Sequence, residues 1–135
     1  MNTTPHPDFT PFQNVVHVEG KEPEVIELEG RTEPLHVKIP GGAKFHTTVK
    51  FKVKNRKMEN LRYKQVVKKG GIPFKTKMVE LGTREPSETE VYEVETEEEV
   101  SPGGWVTRGV YQAFSTYYEG DEELLTNQWT LEITK

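Results

Sequence analysis

The sequence predicts an all-β protein, a sandwich or barrel of eight or nine short strands, on three observations. Phe45, Thr47, Val49, Phe51 and Val53 alternate with His46, Thr48, Lys50, Lys52 and Lys54. That period of two gives one core face and one wet face, whereas a helix would scatter the lysines around its circumference. Turn chemistry recurs between apolar segments, at Pro40-Gly41-Gly42, Gly70-Gly71 and Ser101-Pro102-Gly103-Gly104. No segment of helix length carries a 3.6-residue apolar period.

Taken in order, Met1 to Pro11 is polar and holds Pro5, Pro7 and Pro11, so residues 1–11 read as a short flexible arm. The domain proper is expected over residues 12–135. Its first strand runs from Phe12 to Val18, and Gly20 to Pro23 is a turn. Val25 to Leu28 is a short strand before Gly30. Leu35, Val37 and Ile39 alternate ahead of Pro40. The alternating Phe45–Val53 strand follows, then a turn over Asn55 to Asn60. Strands are expected at Leu61 to Lys68, Phe74 to Leu81 and Val91 to Val94. Trp105 to Tyr118 is aromatic and β-branched and reads as one strand, bulged around Gly109. Glu119 to Leu125 reads as a loop with one helical turn. Trp129, Leu131 and Ile133 form the last alternating strand.

A chain of 135 residues has the length of one domain and can bury a real core. There is no cysteine. That excludes a thiol nucleophile, any cysteine zinc site and prenylation of the chain itself, and it agrees with a reducing, cytoplasmic setting. No apolar run reaches the roughly 18 residues of a membrane-spanning helix, and the N-terminus lacks a signal core, so neither stable membrane insertion nor secretion is expected.

Charge is unevenly spread. Lys38 to Lys77 holds 13 basic residues against one acid, Glu59, while Glu80 to Lys135 holds 14 acids against three basic residues. Two readings follow: the acidic half attracts a basic partner, or neighbouring strands neutralise each other on one small domain.

No catalytic constellation emerges. His6, His17, His36 and His46 lack a second histidine at i+2 or i+4, so they read as surface residues, and no metal is expected. Ser87, Ser101 and Ser115 have no nucleophile-elbow setting. The glycine pairs precede no helix and make no phosphate cradle. Glu97 to Glu99 reads as a solvated run rather than a glycosidase pair. The basic stripe of Lys50, Lys52, Lys54, Arg56 and Lys57 lacks exposed stacking rings, since Phe45, Phe51 and Phe74 fall in apolar registers. Nucleic acid is therefore not an expected partner. No cofactor is implied.

From Leu61 onward the chain reads LRYKQVVKKGGIPFKTKMVELGTREP, then ETEVYEVETEEEVSPGGWVTRGVYQAFSTYYEGDEE, and ends QWTLEITK. This resembles the immunoglobulin-like domain of Rho GDP-dissociation inhibitors. The matching pieces are Tyr63, Gln65, Gly70, Lys75-Thr76, Met78, Gly82 to Pro86, Tyr92, Pro102-x-Gly104, Arg108-Gly109-x-Tyr111, the acidic Glu119 to Glu123, and Trp129-x-Leu131-x-Ile133. Val53-x-Asn55-Arg56 also fits, so the likeness runs from about Phe12 to the end.

The resemblance implies an immunoglobulin-like β-sandwich of two antiparallel sheets that part at one end. The gap would accept the geranylgeranyl group of a prenylated Rho-family GTPase, keeping the GTPase off the membrane and slowing GDP release. Such a protein is not an enzyme. A twenty-carbon isoprenoid exposes several hundred Å² of apolar surface, at about 25 cal/mol per Å², so an apolar cavity is required. The resemblance points to Phe51, Val53, Tyr63, Phe74, Met78, Val110, Trp129 and Leu131 as its walls; any one of these alone also fits a packed core.

Acids gain roles in the same way. Glu98 and Glu99 match the family's acidic position at the pocket mouth, facing the basic tail of the GTPase. Glu99 aligns best, and the family's next acid falls on Val100. Glu119, Asp121, Glu122 and Glu123 match an acidic loop facing the GTPase body, with Gly120 replacing one acid. Family members also carry an arm of some tens of residues that forms a helical hairpin over the GTPase switches. Whether this chain is a fragment or a naturally short member, lipid and tail binding are expected to survive, with switch contacts weak. The rival readings are a broader lipid chaperone of the prenyl-binding delta-subunit or myristoyl-binding type, and a β-sandwich adaptor without a lipid pocket.

Overall fold

A computed structural model describes residues 5–104 and 107–135. Ten strands occur among them: β1 (Phe9–Val18), β2 (Glu24–Glu27), β3 (His36–Pro40), β4 (Lys44–Val53), β5 (Met58–Lys69), β6 (Ile72–Arg84), β7 (Tyr92–Glu95), β8 (Glu99–Val100), β9 (Gly109–Glu119) and β10 (Glu122–Thr134). They form two packed sheets. The first has the order β2-β1-β4-β7, with β8 also paired to β4; the second has the order β3-β10-β9-β5-β6. Every pair is antiparallel except β3–β10, which is parallel. The expected sandwich is therefore present, with that one departure from antiparallel pairing.

Three expectations change. β1 begins at Phe9, which pairs with Val53 and is buried, so the last residues assigned to the arm belong to the sheet. Glu119 to Leu125 has no helical turn; Glu119 pairs with Glu122 across a two-residue connection. The long strand expected from Trp105 begins at Gly109, and Trp105 and Val106 lie outside the described residues. No helix among the described residues is long and apolar enough to cross a membrane.

Strand parity fixes which residues face inward. On β4, Val49, Phe51 and Val53 are buried, while Lys50 and Lys52 reach outward to Glu93 and Glu29. β5 and β6 join through Gly70 and Gly71, both at positive φ (59° and 80°), the backbone that a two-residue hairpin requires. At the end of β3, Gly41 packs against the Ser101-Pro102 turn. A Cβ there would lie 2.9 Å from the Pro102 carbonyl oxygen, too close for any other residue without a shift of backbone.

The two charge-rich halves neutralise each other across strands. Lys50 pairs with Glu93, Arg56 with Glu119, Lys57 with Glu85, Arg62 with Asp121, and Lys75 and Lys77 with Glu99.

Packing between the sheets is uneven. At the end that holds the β9–β10 turn, Phe9, Phe51, Val53, Met58, Leu61, Leu81 and Tyr117 form a close-packed cluster. Phe9 stacks on Phe51 at 5.5 Å, and Tyr63 meets Tyr117 edge-on at 5.2 Å. Toward the other end the apolar residues separate into two smaller groups. One is built on Val16, Ile26, Val37 and Ile39, the other on Val67, Tyr111, Ala113 and Ile133; Trp129 and Leu131 pack against both.

Candidate functional site

Where the core divides, a cavity of about 630 Å³ lies between the sheets, within the range of small-molecule sites. β1, β2 and β4 supply Val16, Ile26 and Val49 to one wall. β3, β5, β9 and β10 supply Val37, Ile39, Tyr63, Tyr117, Leu125, Trp129 and Leu131 to the other. The segment between β2 and β3, from Leu28 to Leu35, closes one side. A smaller chamber of about 50 Å³ adjoins it, sharing Ile39, Phe45, Gln65, Lys77 and Leu131 with the larger one and adding Phe74, Glu99, Pro102 and Tyr111.

A chain of hydrogen bonds holds the polar atoms of the wall. The Trp129 Nε1–H donates to Ser115 Oγ at 2.8 Å, and Ser115 Oγ lies 3.1 Å from the Tyr63 hydroxyl. Tyr63 in turn donates to Gln65 Oε1. A phenol has one proton, and with it given to Gln65 the serine hydroxyl donates to Tyr63. Burial pushes the Tyr63 phenol up to about 12, against the opposing pull of its bond with Ser115, so it stays neutral at physiological pH. With these atoms satisfied, this part of the wall offers rings and methyl groups to the interior, while Glu29, Arg31, Glu33 and Lys77 bring charge to other parts of the lining. Asn14 Oδ1 differs: it is buried, lacks a hydrogen-bond partner, and belongs to a residue lining the cavity.

At the end away from the β9–β10 turn, Glu99 receives both Lys75 and Lys77. Burial pushes its carboxyl up, but the two ammonium groups outweigh that and hold it below the usual range. Nearby, Ser101 Oγ accepts from the Ala43 N–H at 2.9 Å and donates to the Pro40 carbonyl, so the Ser101-Pro102 turn is tied to both ends of the β3–β4 connection. Glu98 is exposed.

Of the eight wall residues expected from sequence, Tyr63, Trp129 and Leu131 line the main cavity, and Phe74 with Leu131 lines the adjoining chamber. Phe74 sits at a register shift between β5 and β6 and packs on Tyr111 at 5.1 Å. Phe51 and Val53 point inward but belong to the close-packed end, and neither lines the cavity. Met78 and Val110 are about half exposed (47% and 55%). They face away from the cavity because their strand neighbours Val79 and Tyr111 face inward. Sequence reading missed Val16, Ile26, Leu28, Leu35 and Val37, which supply much of the opposite wall. Their signal was present as alternation in three short segments, without anything to say that the sheets part there.

The expected acidic groups separate to opposite ends. Glu98 and Glu99 lie by the small chamber, whereas Glu119, Asp121 and Glu122 flank the β9–β10 turn. Glu119 is held by Arg56 in a two-pronged ion pair (2.8 and 3.1 Å) and accepts the Glu59 N–H at 2.9 Å. Arg56 also binds Asp8 at 3.0 Å, and Asn55 Nδ2 donates to the same carboxylate at 2.9 Å. Asp121 faces Arg62 at 3.5 Å, and Glu122 is exposed.

Residues 6–135 match the family model described as RHO protein GDP dissociation inhibitor. The chain is 31% identical over 123 residues to a probable rho GDP-dissociation inhibitor of Caenorhabditis elegans, covering 87% of this chain and 64% of that protein. It is 31% identical over 138 residues to the Rho GDP-dissociation inhibitor of Saccharomyces cerevisiae, covering 100% of this chain and 63% of that one. The Schizosaccharomyces pombe inhibitor is 26% identical over 125 residues, covering 87% of this chain and 60% of the relative. The chain thus spans about three fifths of the length of these relatives. Proteins of this family are described as GDP-dissociation inhibitors and are not enzymes. With the family model matching nearly the whole sandwich, the chain belongs to the Rho GDP-dissociation inhibitor family.

Proposed function

We propose that this domain binds the geranylgeranylated C-terminus of a Rho-family GTPase, taking the lipid into the cavity between its sheets. The observation that supports this most is the cavity itself: about 630 Å³, walled mainly by aliphatic and aromatic side chains, in a chain of this family. A long isoprenoid buried there would gain on the order of 10 kcal/mol at about 25 cal/mol per Å², before the costs of association. That is enough to hold the lipid out of water and to compete with a bilayer. The same reading makes the protein a cytoplasmic carrier that keeps its client from membranes and retards GDP release.

Exposed acids by the small chamber, Glu97 and Glu98, suit a lysine-rich tail leading to the lipid. Glu99 is already neutralised by Lys75 and Lys77, so its part is to hold those lysines at the rim rather than to receive a new cation directly. At the far end, Asp121 and Glu122 are the exposed acids for the GTPase body, while Glu119 is engaged by Arg56. Rim charges of this kind raise association rate and set orientation more than they add affinity.

The test is a titration with a fluorescent geranylgeranyl peptide carrying a polybasic tail, beside the same peptide without lipid, at two salt concentrations. Tight binding that needs the lipid and weakens modestly with salt is expected. Equal affinity with and without the lipid would overturn the proposal and favour an adaptor without a lipid site. Tight lipid-dependent binding that salt leaves unchanged would favour a broader lipid chaperone.

A further inference from the structure

The outer face of the first sheet, opposite the cavity, gathers three side chains that are far apart in sequence. His17 on β1 and His46 on β4 are directly paired across strands. Their rings lie face to face, centroids 4.4 Å apart and planes 11° from parallel. Glu95, on β7, is the cross-strand partner of Thr48, two residues along β4 from His46. His46 Nε2 is 3.4 Å from Glu95 Oε1, and one potential ligand atom from each of the three residues lies within 4.8 Å of the others.

Thr48 orders this group. Its hydroxyl is 2.8 Å from both Glu95 oxygens and 2.9 Å from His17 Nε2, and the residue is buried. A threonine hydroxyl has one proton. When it is given to Glu95, the His17 Nε2 must carry its own hydrogen and donate it to Thr48, which leaves the lone pair on Nδ1. The threonine thereby holds both the carboxylate and one imidazole by a second bond, as the outer partners of metal ligands do.

We propose that His17, His46 and Glu95 bind a divalent transition-metal ion of the zinc class, with solvent completing the coordination. Imidazole and carboxylate ligands bind zinc at about 2.0–2.2 Å, which sets neighbouring ligand atoms in a tetrahedral site about 3.3 Å apart. The His46–Glu95 separation of 3.4 Å already meets that spacing. The His17 ligand atom lies within 4.8 Å of the other two, and the stacked imidazoles, 11° from parallel, must turn relative to each other for both in-plane lone pairs to meet one ion. Two nitrogens and one carboxylate oxygen suit zinc, copper or nickel and not calcium or magnesium, which take oxygen ligands. A bound ion would clip β1, β4 and β7 together and stabilise the folded chain by mass action.

Equilibrium dialysis of the full chain against Zn²⁺ tests this, with Mg²⁺ as the comparison. One equivalent of zinc is expected, with a rise in melting temperature that magnesium does not give. His17→Ala and His46→Ala should each weaken uptake by at least about tenfold, and Glu95→Gln should weaken it too. His36→Ala should leave it unchanged, because His36 pairs with Glu132 on the other sheet. Copper EPR of the unmodified chain reads the ligand set without any substitution, and coupling to two imidazole nitrogens is expected. The proposal is overturned by no uptake at about 100 μM zinc, by uptake unaltered in both histidine variants, or by coupling to fewer than two imidazole nitrogens.

Discussion

The indole N–H of Trp129 donates to Ser115 Oγ at 2.8 Å, across the β9–β10 pair. The one polar atom of the ring is thereby satisfied within the wall, and the rest of the indole is left to line the cavity. Ser115 is also bonded to Tyr63, whose hydroxyl continues to Gln65. Ser115→Ala would leave the Trp129 donor without that acceptor and take from Tyr63 its donor. A loss of about 1–3 kcal/mol in urea unfolding is expected. Lipid-peptide affinity should fall as well, because the indole loses the bond that sets its angle. Unchanged stability would show that other groups take over both bonds.

Filling the cavity separates binding from folding. Ile26 lines the main cavity from β2, an edge strand. Ile26→Trp adds volume where space exists, so the overpacking cost of a close-packed core does not apply. Affinity for a geranylgeranyl peptide should drop by about tenfold or more, with the melting temperature unchanged within a few degrees. The same change at Phe51, in the close-packed cluster, should instead destabilise the fold by about 1–3 kcal/mol. Retained lipid affinity in Ile26→Trp would move the lipid out of this cavity.

Sequence periodicity shows which way a side chain faces but not how high it sits along the strand. That is why Phe51 and Val53 were rightly read as inward and still do not reach the cavity. Along β9 both faces mix apolar or aromatic residues with polar ones: Val110, Gln112, Phe114, Thr116 and Tyr118 alternate with Tyr111, Ala113, Ser115 and Tyr117, so parity could not be read. Met78 faces outward for a related reason, since the register shift at Phe74 on an edge strand breaks the alternation. The last strand was legible at Trp129, Leu131 and Ile133 because Thr130 and Glu132 between them are plainly polar. His17 and His46 were missed as a pair because their proximity is created by the β1–β4 register and by no local spacing.

An ionic clamp closes the packed end, and its pH dependence has a definite sign. Asp8 is lowered first by its bond from Asn55 and then, against burial, by Arg56. Glu119 is lowered first by Arg56, with the Glu59 N–H adding to that against burial. A carboxyl lowered in the native state stabilises fully above its ordinary range. The contribution fades as pH falls through the lowered native value. Melting temperature should therefore fall as pH drops from about 6 to 3. Arg56→Gln should flatten that fall, chiefly through Glu119, and lower the melting temperature at neutral pH by a few degrees. The pairs are surface-exposed, so the effect should shrink in high salt. Parallel acid limbs in wild type and variant would dismiss the clamp as a source of stability.

Asn14 provides the sharpest test of how the cavity is used. Its Oδ1 is buried without a partner on a residue that lines an otherwise largely apolar wall, and burying an unsatisfied acceptor costs about 1–3 kcal/mol. Leucine has nearly the same shape and no such acceptor. Asn14→Leu should accordingly raise stability in urea by about 1 kcal/mol and make the wall more apolar. If the cavity takes an isoprenoid, the same change should leave lipid affinity equal or improved, since an isoprenoid chain has no hydrogen to donate to Oδ1. A variant that folds with higher stability but binds the lipid peptide about tenfold more weakly would show the opposite. Asn14 would then contact a polar part of the guest, such as the peptide amide beside the prenylated cysteine, and the lipid would enter the cavity less deeply than proposed.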